Sequence, residues 1–328
     1  WRGNVGYDRQ LDFGGLVAST EFVVSSTVND VAYQNINMFQ NGTLPFDGRP
    51  VFGGRVSSAI SNAILLTNTG QGDQWNVNLK LERPLRGNWF ASGSYSYGQS
   101  HSVLDATSSQ AASNWGNART PGNPNDLPLT VSNFDVAHRI NLAASYGWDL
   151  PRSFNLTASM YYNGQSGRPY SISYNNTDVN GDAQFFNDLL WVPNSADDVV
   201  LRNGTAQQLE DFINSDACMS ESRGQIAERN CGRQPFTNIV DVKFALRVPA
   251  GRSNVELTFD ILNFTNLLND SWGRYEFLVF QSLTALANAN IDAASGKPIY
   301  NIATFTLPSF RKFTIDNLRS RWQAQFGA

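Results

Sequence analysis

The sequence predicts an all-β fold, a transmembrane antiparallel β-barrel with long extracellular loops, and three observations favour it. Apolar and polar residues alternate along segments long enough to cross a bilayer at a tilt, which takes about 9–11 residues of strand. Short turns alternate with long irregular connections, from Gln99 to Val131 and from Gln165 to Gln234. Aromatic residues crowd the ends of the alternating segments, as they do where barrel strands meet the membrane surface. Alternation also fits a soluble sandwich, so a soluble β-rich domain is the alternative.

The clearest alternation runs from Phe134 to Trp148. Its even-numbered positions are mostly apolar or aromatic, and its odd-numbered positions are mostly polar or small. Pro151 ends this segment, because proline has a fixed φ and no N–H to donate. The alternation then resumes from Phe154 to Tyr162. Two long segments joined by a short turn predict an antiparallel hairpin, with the even-numbered residues of the first segment facing lipid.

The same hairpin unit occurs twice more along the chain. The paired segments are Trp75–Glu82 with Trp89–Tyr97, and Val240–Val248 with Val255–Ile261. In each pair the connecting turn is short and contains proline and glycine, which are residues that favour turns. The sequence therefore predicts three hairpins of one design, joined to one another by long polar loops.

Weaker patterns predict the remaining strands. Phe13–Ser25 and Thr27–Met38 predict a fourth, less regular hairpin, and Ser58–Asn68 predicts a single strand. Further strands are predicted nearer the C-terminus, at Gly273–Leu283, Asn301–Leu307 and Phe313–Ala328. Together these patterns predict about eleven strands.

Eleven strands with two free edges create a physical problem in a bilayer. Each unpaired backbone N–H or C=O in hydrocarbon costs several kcal/mol. We therefore expect the chain to be about half of a larger barrel. The strand near Phe13–Ser25 would pair with a preceding strand, and Phe313–Ala328 would pair with the first strand of the full barrel. Backbone pairing between these two regions would contradict this expectation.

The polar faces of the predicted strands carry charges of both signs. These polar residues are Lys80, Glu82, Asp135, Arg139, Asn141, Asp241, Lys243, Arg247, Glu256 and Asp260. We expect them to line the inside of the barrel. Such a wall either docks an internal plug through hydrogen bonds and ion pairs or is simply hydrated, and the sequence leaves both interpretations open.

Composition argues against several functional classes. The chain has 328 residues, 24 basic and 28 acidic side chains and a formal net charge of −4, without the basic patch with interleaved aromatics that nucleic-acid binding favours. His101 and His138 are the only histidines, and His138 is expected to lie at the membrane interface. We find no GxSxG motif, no Gly-rich phosphate loop and no convincing pair of carboxylates. The sequence therefore predicts no enzyme and requires no cofactor.

The connection from Gln165 to Gln234 has two features of its own. Cys218 and Cys231 both fall in it, and a cell-surface loop lies in an oxidising setting, so a disulfide is predicted; two free thiols are the alternative. Thr205 followed by Gln208 forms a capping-box pattern and predicts one short amphipathic helix over Thr205–Asn214.

The same connection contains a candidate calcium loop. Asp178, Asn180 and Asp182 place oxygen ligands at alternate positions of a tight turn, a spacing that suits Ca²⁺. Ala183 and Leu189 depart from the EF-hand pattern, where a glycine and a bidentate glutamate would stand, and Asp188 is the nearby substitute for that glutamate. The alternative is an ordinary Asx-rich turn. A structural Ca²⁺ in this loop is therefore a hypothesis.

Several segments resemble a known family of membrane proteins. They are SYSYGQSHSVLDATSSQAASNW, SNFDVAHRINLAASYGWDLP, YYNGQSGRPYS, TDVNGDAQFFNDLLWVP, FTNIVDVKFALRVP and FDILNFTNLLN. In this order they resemble the C-terminal barrel of TonB-dependent outer-membrane receptors, and the Oar-like subgroup in particular. The resemblance covers most of residues 1–328 and implies a 22-stranded barrel in the outer membrane of a Gram-negative bacterium.

The resemblance also implies partners. Receptors of this family have a plug domain inside the barrel and a TonB box, and this sequence contains neither. The implied partners are the lipid bilayer, the missing N-terminal barrel and plug of the same protein, and the TonB–ExbB–ExbD motor. The substrates of the family are diverse, so the resemblance names none.

Three functions are compatible with these observations. The first is energised uptake of a large solute through a plugged barrel, with the outer loops binding the solute. The second is a structural or adhesive surface protein without transport. The third is a soluble β-rich binding domain, which would not need detergent for extraction.

Overall fold

The computed structural model describes residues 1–287, 290–302 and 311–328. Its main feature is one antiparallel sheet in which long strands follow one another in chain order. The strands are β1 (Arg2–Gln10), β2 (Val17–Ser26), β3 (Gly72–Arg86), β4 (Trp89–Ser102), β5 (His138–Leu150), β6 (Phe154–Gln165), β7 (Thr237–Ala250), β8 (Ser253–Leu262) and β9 (Gln323–Gly327). Thr130–Val131 adds a short pairing to the end of β4.

The three predicted hairpins are confirmed as β3–β4, β5–β6 and β7–β8. Their turns need backbone conformations with positive φ, at Gly87, Arg152 and Gly251. Strand β5 begins at His138, four residues later than the alternation predicted, and continues to Leu150. The strands from β3 to β8 have 10 to 15 residues, which is enough to cross a bilayer at a tilt.

The predicted fourth hairpin is wrong. Val17–Ser26 pairs with Arg2–Gln10 on one side and with β3 on the other. Gly14 and Gly15, both with positive φ, turn the chain between β1 and β2. Consequently β1, and not the Phe13–Ser25 region, stands at the first edge of the sheet.

The segment that follows β2 forms a separate ribbon. Asp30–Asn35 pairs with Ile64–Thr69, which is the part of Ser58–Asn68 that is a strand. Two shorter pairings extend the ribbon, Met38–Phe39 with Gly54–Arg55 and Gly42–Thr43 with Pro50–Val51. These residues belong to a loop and not to the large sheet.

The C-terminal predictions are only partly correct. Gly273–Leu283 is not one strand, because Glu276–Phe277 and the start of Ser282–Ala287 are separated by a turn at Val279–Gln281. Of Phe313–Ala328, only Gln323–Gly327 joins the sheet. Asp316 interrupts the rest, since its side chain accepts hydrogen bonds from two backbone N–H groups and caps a short helix at Asn317–Ser320. Most of the predicted Asn301–Leu307 strand lies outside the described residues.

The large sheet exposes its apolar face. Strand register places the apolar side chains of neighbouring strands in common rows, and these side chains are exposed, with Leu142 at 44%. Exposed apolar residues on this face include Val5, Tyr7, Phe22, Leu79, Leu81, Trp89, Tyr95, Leu142, Tyr146, Trp148, Leu150, Met160, Phe244, Val255, Leu257 and Phe326. On β5 the odd-numbered residues from 141 to 147 are less exposed than the even-numbered ones. This arrangement is the reverse of a soluble sheet and suits contact with lipid.

The opposite face of the sheet is polar and internally bonded. Asn141 Oδ1 accepts hydrogen bonds from the Tyr161 hydroxyl and from Asn163 Nδ2, both at 2.8 Å. Lys80 pairs with Glu82 at 2.5 Å, and Lys243 lies 3.7 Å from Asp260 on the neighbouring strand. Apart from Asp135, the predicted charges of both signs therefore share one wall.

The long connections all leave the sheet at the same end, because each follows an even-numbered strand of an antiparallel series. We call them together the loop cap: residues 27–71, 103–137, 166–236, 263–287, 290–302 and 311–322. Helices lie in the cap at Ala111–Gly116, Ala206–Asn214, Ala217–Glu221, Phe264–Leu268 and Asn317–Ser320, with 3₁₀ turns at Ala196–Asp198 and Val279–Gln281.

Short strands connect distant parts of the loop cap. Pro169–Asn175 pairs in parallel with Ser282–Ala287 and antiparallel with Gly232–Arg233. The other pairings are Trp191–Val192 with Gln225–Ile226, Val200–Arg202 with Pro298–Asn301, Asn290–Ile291 with Pro298–Asn301, and Glu276–Phe277 with Thr314–Ile315. The loops are thus joined by backbone hydrogen bonds.

The loop cap, and not the sheet, contains the main hydrophobic core. Its buried residues are Tyr170, Ile172, Tyr174, Leu190, Trp191, Val192, Val199, Leu209, Phe212, Ile213, Cys218, Met219, Ala227, Leu278, Leu283, Tyr300 and Ile302. Burial of apolar area is the largest stabilising contribution to a packed domain. The cap is therefore a folded unit at one end of a sheet that is apolar outside.

Candidate functional site

The first two long connections reach the third through two buried arginines, Arg49 and Arg229. Arg49 donates to Asp47 at 2.7 Å and to Asp188 at 3.1 Å, and all three side chains are fully buried. Its guanidinium also donates to the Leu189 carbonyl at 2.9 Å and lies 5.5 Å from the centre of the Tyr174 ring. Burial raises the pKa of Asp188 to about 7, against the opposing effect of Arg49. A buried ion pair of this kind holds two distant segments in one arrangement.

Arg229 makes the second of these links. It donates to Thr130 Oγ1 at 2.6 Å and to the carbonyl oxygens of Ser102 and Val103. All three acceptors are neutral, and burial lowers the pKa of Arg229. Neither Arg49 nor Arg229 belongs to a recognisable motif or spacing in the loop sequence, so the sequence alone could not have identified them.

Two tyrosines bond to each other inside the cap core. The hydroxyl groups of Tyr174 and Tyr300 are 3.1 Å apart, and Tyr300 donates to the Trp191 carbonyl at 2.5 Å. Burial raises the pKa of both tyrosines, so both stay neutral donors. The hydroxyls satisfy polar groups that the apolar core would otherwise leave without partners.

The predicted disulfide and helix lie side by side in this core. The structure joins Cys218 and Cys231, with Cα atoms 5.4 Å apart. The predicted helix is confirmed at Ala206–Asn214, and Thr205 and Gln208 form both hydrogen bonds of the capping box. Leu209, Phe212 and Ile213 are the buried residues of the helix, which explains the apolar stripe in the sequence.

The structure brings the four predicted calcium ligands to one turn, but protein donors already occupy their oxygens. The Asp178 carboxylate accepts from the N–H groups of Gly181 and Ala183, at 2.7 and 2.9 Å. Asp182 accepts from Asn187 Nδ2 at 2.6 Å and from a backbone N–H. Asp188 is bonded to Arg49, and the side-chain oxygen of Asn180 accepts from the Asp182 N–H at 3.0 Å. These bonds are those of an Asx-rich turn.

Calcium at this turn stays a prediction. Within the described residues, no group of three or more His, Cys, Asp or Glu side chains is arranged to hold a metal ion. Burial raises the pKa of Asp178, and that of Asp182 to about 6. A bound cation would have to displace the Gly181 and Ala183 N–H donors, so calcium binding predicts faster amide exchange at these two residues.

Asp135 and the two histidines lie where the sheet meets the cap. The prediction that Asp135 lines the barrel wall is wrong. It precedes β5, is buried, accepts from the Ser100 N–H at 2.8 Å and pairs with Arg233 at 2.7 Å. His138 Nδ1 lies 2.8 Å from the Tyr95 hydroxyl, and His101 Nδ1 lies 2.8 Å from Asp73. Among the described residues, neither histidine is hydrogen-bonded to a residue of the predicted calcium turn.

The loop cap contains a cavity of about 930 Å³. Its walls come from the second connection, the Pro169–Asn175 strand, residues 278–284 and residues 311–314. Both polar and apolar side chains line it. A volume of this size is in the range of small-molecule sites, about 300–1,000 Å³. We call this space the cap cavity.

None of the helices in the described ranges is long and apolar enough to span a membrane. Searches of curated proteins and of solved structures returned no match.

A family model described as "Outer membrane beta barrel domain" matches residues 2–271, from the start of β1 to nine residues beyond the end of β8. The match places the chain in the outer membrane of a Gram-negative bacterium, in contact with the lipid bilayer. It therefore sets aside the soluble alternative. Since this match spans most of the sequence, the chain belongs to the family of outer membrane β-barrel domains.

Proposed function

We propose that this chain is the C-terminal barrel portion of a TonB-dependent, Oar-like receptor that takes up a large solute, with the loop cap as the solute-binding part. The observation that carries the proposal is the cap itself, which has its own hydrophobic core, disulfide and cavity. Loops that only connect strands need none of these. The proposed role is binding and passage, without catalysis.

The polar wall of the sheet supports a plugged barrel. Its ion pairs are partly exposed, at Lys243–Asp260 and Arg247–Glu256, and such pairs contribute only about 0–1 kcal/mol each. They can therefore exchange partners at little cost. A plug domain from the same protein would dock against this wall and be released from it when the TonB–ExbB–ExbD motor pulls.

The two edges of the sheet support a larger barrel. In the described part of the chain, the strand order runs from β1 at one edge to β9 at the other. Edge strands expose backbone N–H and C=O groups, which must be paired in hydrocarbon. We propose that further strands of the same protein pair with both edges and complete a barrel of 22 strands, as the resemblance implies.

Uptake can be tested without knowing the solute. Cells that make the full-length protein, cells lacking its gene, and cells treated with an uncoupler are grown in one complex medium. Mass spectrometry then measures which solutes each culture removes. We expect a set of solutes removed only by energised cells with the gene, and identical sets in energised cells with and without the gene would refute uptake.

A surface-adhesion role is the second candidate, because the cap exposes an apolar tip. Phe280 is 89% exposed and has a positive φ of 53°, and the neighbouring Val279 is also exposed. Exposed apolar groups of this size mark contact sites when they are clustered. If adhesion is the role, cells lacking the gene will lose attachment to surfaces or other cells while removing the same solutes from the medium.

A further inference from the structure

The cap cavity has an excess of positive charge. Four cationic side chains line it, namely Arg119, Arg229, Arg311 and Lys312, and Asp105 is the acidic side chain among its lining residues. Asp105 is already committed, because it accepts hydrogen bonds from the hydroxyls of Ser102 and Ser132, at 2.9 and 2.8 Å, and from the Asn133 N–H. The one carboxylate among the lining residues therefore does not neutralise the positive charge of the cavity.

Partners within the cap already hold Lys312 and Arg229. Lys312 pairs with the buried Asp216 carboxylate and lies over the Tyr170 ring. Arg229 bonds to three neutral oxygens and has Asp105 as the nearby charge that acts on it. Both therefore serve the architecture of the cap, and Arg119 is the cation in position to bind a ligand.

Arg119 is a partly buried cation without a carboxylate partner in the described residues. Its Nη1 donates to the Asn117 carbonyl at 2.7 Å, while its Nε is buried and has no hydrogen-bond partner among the described residues. Residues 288–289 and 303–310 contain no Asp or Glu, so they add no carboxylate. Burial lowers the pKa of Arg119 to about 10. A buried N–H without a hydrogen-bond partner is unfavourable, and more so on a charged group.

The apolar lining residues of the cavity indicate which kind of ligand would fit beside Arg119. Apolar side chains form part of the same wall, including Leu104, Leu278, Val279 and Leu283, with Phe186 beside them. A guanidinium presents a planar fork of N–H donors that matches carboxylate and phosphate oxygens. A ligand that satisfies both parts has an apolar body and one oxyanion group.

We infer that the cap cavity binds a small solute with an apolar body and a carboxylate or phosphate group, and that this group bonds to Arg119. The inference names the solute class for the proposed receptor and rests on that function for its biological meaning. Binding itself depends only on the cavity. It can therefore be measured apart from uptake.

The test uses the purified protein in lipid nanodiscs and three probes with one apolar body: naphthoate, naphthyl phosphate and naphthol. Calorimetry or probe fluorescence measures each affinity at neutral pH. We expect one of the two anions to bind at least about tenfold more tightly than neutral naphthol, a difference of about 1.4 kcal/mol. The tighter anion identifies the oxyanion that the site prefers.

Arg119→Gln should weaken binding of the anion about tenfold and leave naphthol unchanged. Arg202→Gln is the matched control, because Arg202 is an exposed cap arginine outside the cavity. Arg119→Lys keeps the charge but loses the planar fork, so intermediate affinity supports the geometry. Retention of the Cys218–Cys231 bond and of native amide exchange in Pro169–Asn175 shows that each variant is folded.

Equal affinity of anions and naphthol for the unaltered protein would overturn the inference, as would an unchanged anion affinity in folded Arg119→Gln. Anion binding without gene-dependent uptake would retain the site and remove the transport proposal. Gene-dependent uptake without anion binding would retain the transport proposal and remove the binding site.

Discussion

At the scale of single residues, the loop cap depends on charges that are buried far from water. Arg49 and its two carboxylate partners are fully buried, and removing one partner of such a set leaves the others without compensation. Removing one partner therefore lowers the stability of the cap by more than the intact set contributes to it. The same burial moves the proton affinity of Asp188 into the neutral range, so charge and stability are coupled in the cap.

Arg49→Met should destabilise the cap, because Asp47 and Asp188 keep their buried positions without a cation. We expect a loss of about 3–5 kcal/mol in the free energy of opening, measured by amide exchange in Pro169–Asn175. Arg55→Met on the same connection is the control, since Arg55 is exposed. Equal protection in the two variants would show that the buried pair has no role in stability.

The cap should lose stability as pH rises from about 4 to about 7. The pKa of Asp188 is raised by burial to about 7 in the folded cap and is about 4 in an unfolded chain. Between these values the folded cap binds more protons than the unfolded one, so the free energy of unfolding falls with increasing pH. Amide exchange measured across this range tests the sign.

Asp188→Asn should remove the part of that slope that comes from Asp188, because asparagine does not titrate in this range, and leave the smaller part from Asp182, whose pKa is raised to about 6. Asp197→Asn, at an exposed position of the same loop, should leave the slope as it is. A slope of opposite sign in the unaltered protein would rule out a raised pKa at Asp188.

At the scale of elements, strands and cap are held by different forces. Strand β5 presents alternate side chains to its two environments, whereas the helix at Ala206–Asn214 and the disulfide beside it are held by the cap core. A change in a strand should therefore alter the sheet before the cap. A change in the helix or the disulfide should alter the cap before the sheet.

Spin labels at Asn141, Leu142 and Ala143 should report the two faces of β5. We expect the label at Leu142 to collide with oxygen dissolved in lipid, and those at Asn141 and Ala143 to collide with a water-soluble nickel complex. Both native cysteines are bonded to each other, so an introduced cysteine can be labelled selectively. Three labels with one accessibility profile would contradict the strand assignment.

Replacing Cys218 and Cys231 together by serine should loosen the cap without unfolding the sheet. The bond closes a separation of 13 residues, for which the chain-entropy account gives about 3 kcal/mol. Protease cleavage within 166–236 should become faster, while heat-dependent gel mobility of the barrel should not change. Reduction of the unaltered protein is the matched comparison, and an unchanged cleavage rate in both would disprove this role.

At the scale of the whole molecule, the sequence predicts the sheet far better than the cap. The hairpins follow from a period of two and a short turn, which are local signals. The Gly14–Gly15 pair is a similar local signal for the turn between β1 and β2, and the predicted Phe13–Ser25 and Thr27–Met38 hairpin does not use it. Cap contacts have no local signal, since Arg49 and Asp188 are 139 residues apart. For the same reason the sequence identified the disulfide and the Asp178 turn, but neither Arg119 nor the cavity.

The placement of all long connections at one end has a consequence for assembly. A barrel that inserts with its short turns trailing must pass each connection across the bilayer as an extended chain, because a packed cap is too polar and too wide to cross. The Cys218–Cys231 bond can form as soon as one connection emerges, since both cysteines are on it. The link from Arg49 to Asp188 needs the connections after β2 and after β6 to have emerged already. The order in which the strands insert therefore sets the order in which the cap is built.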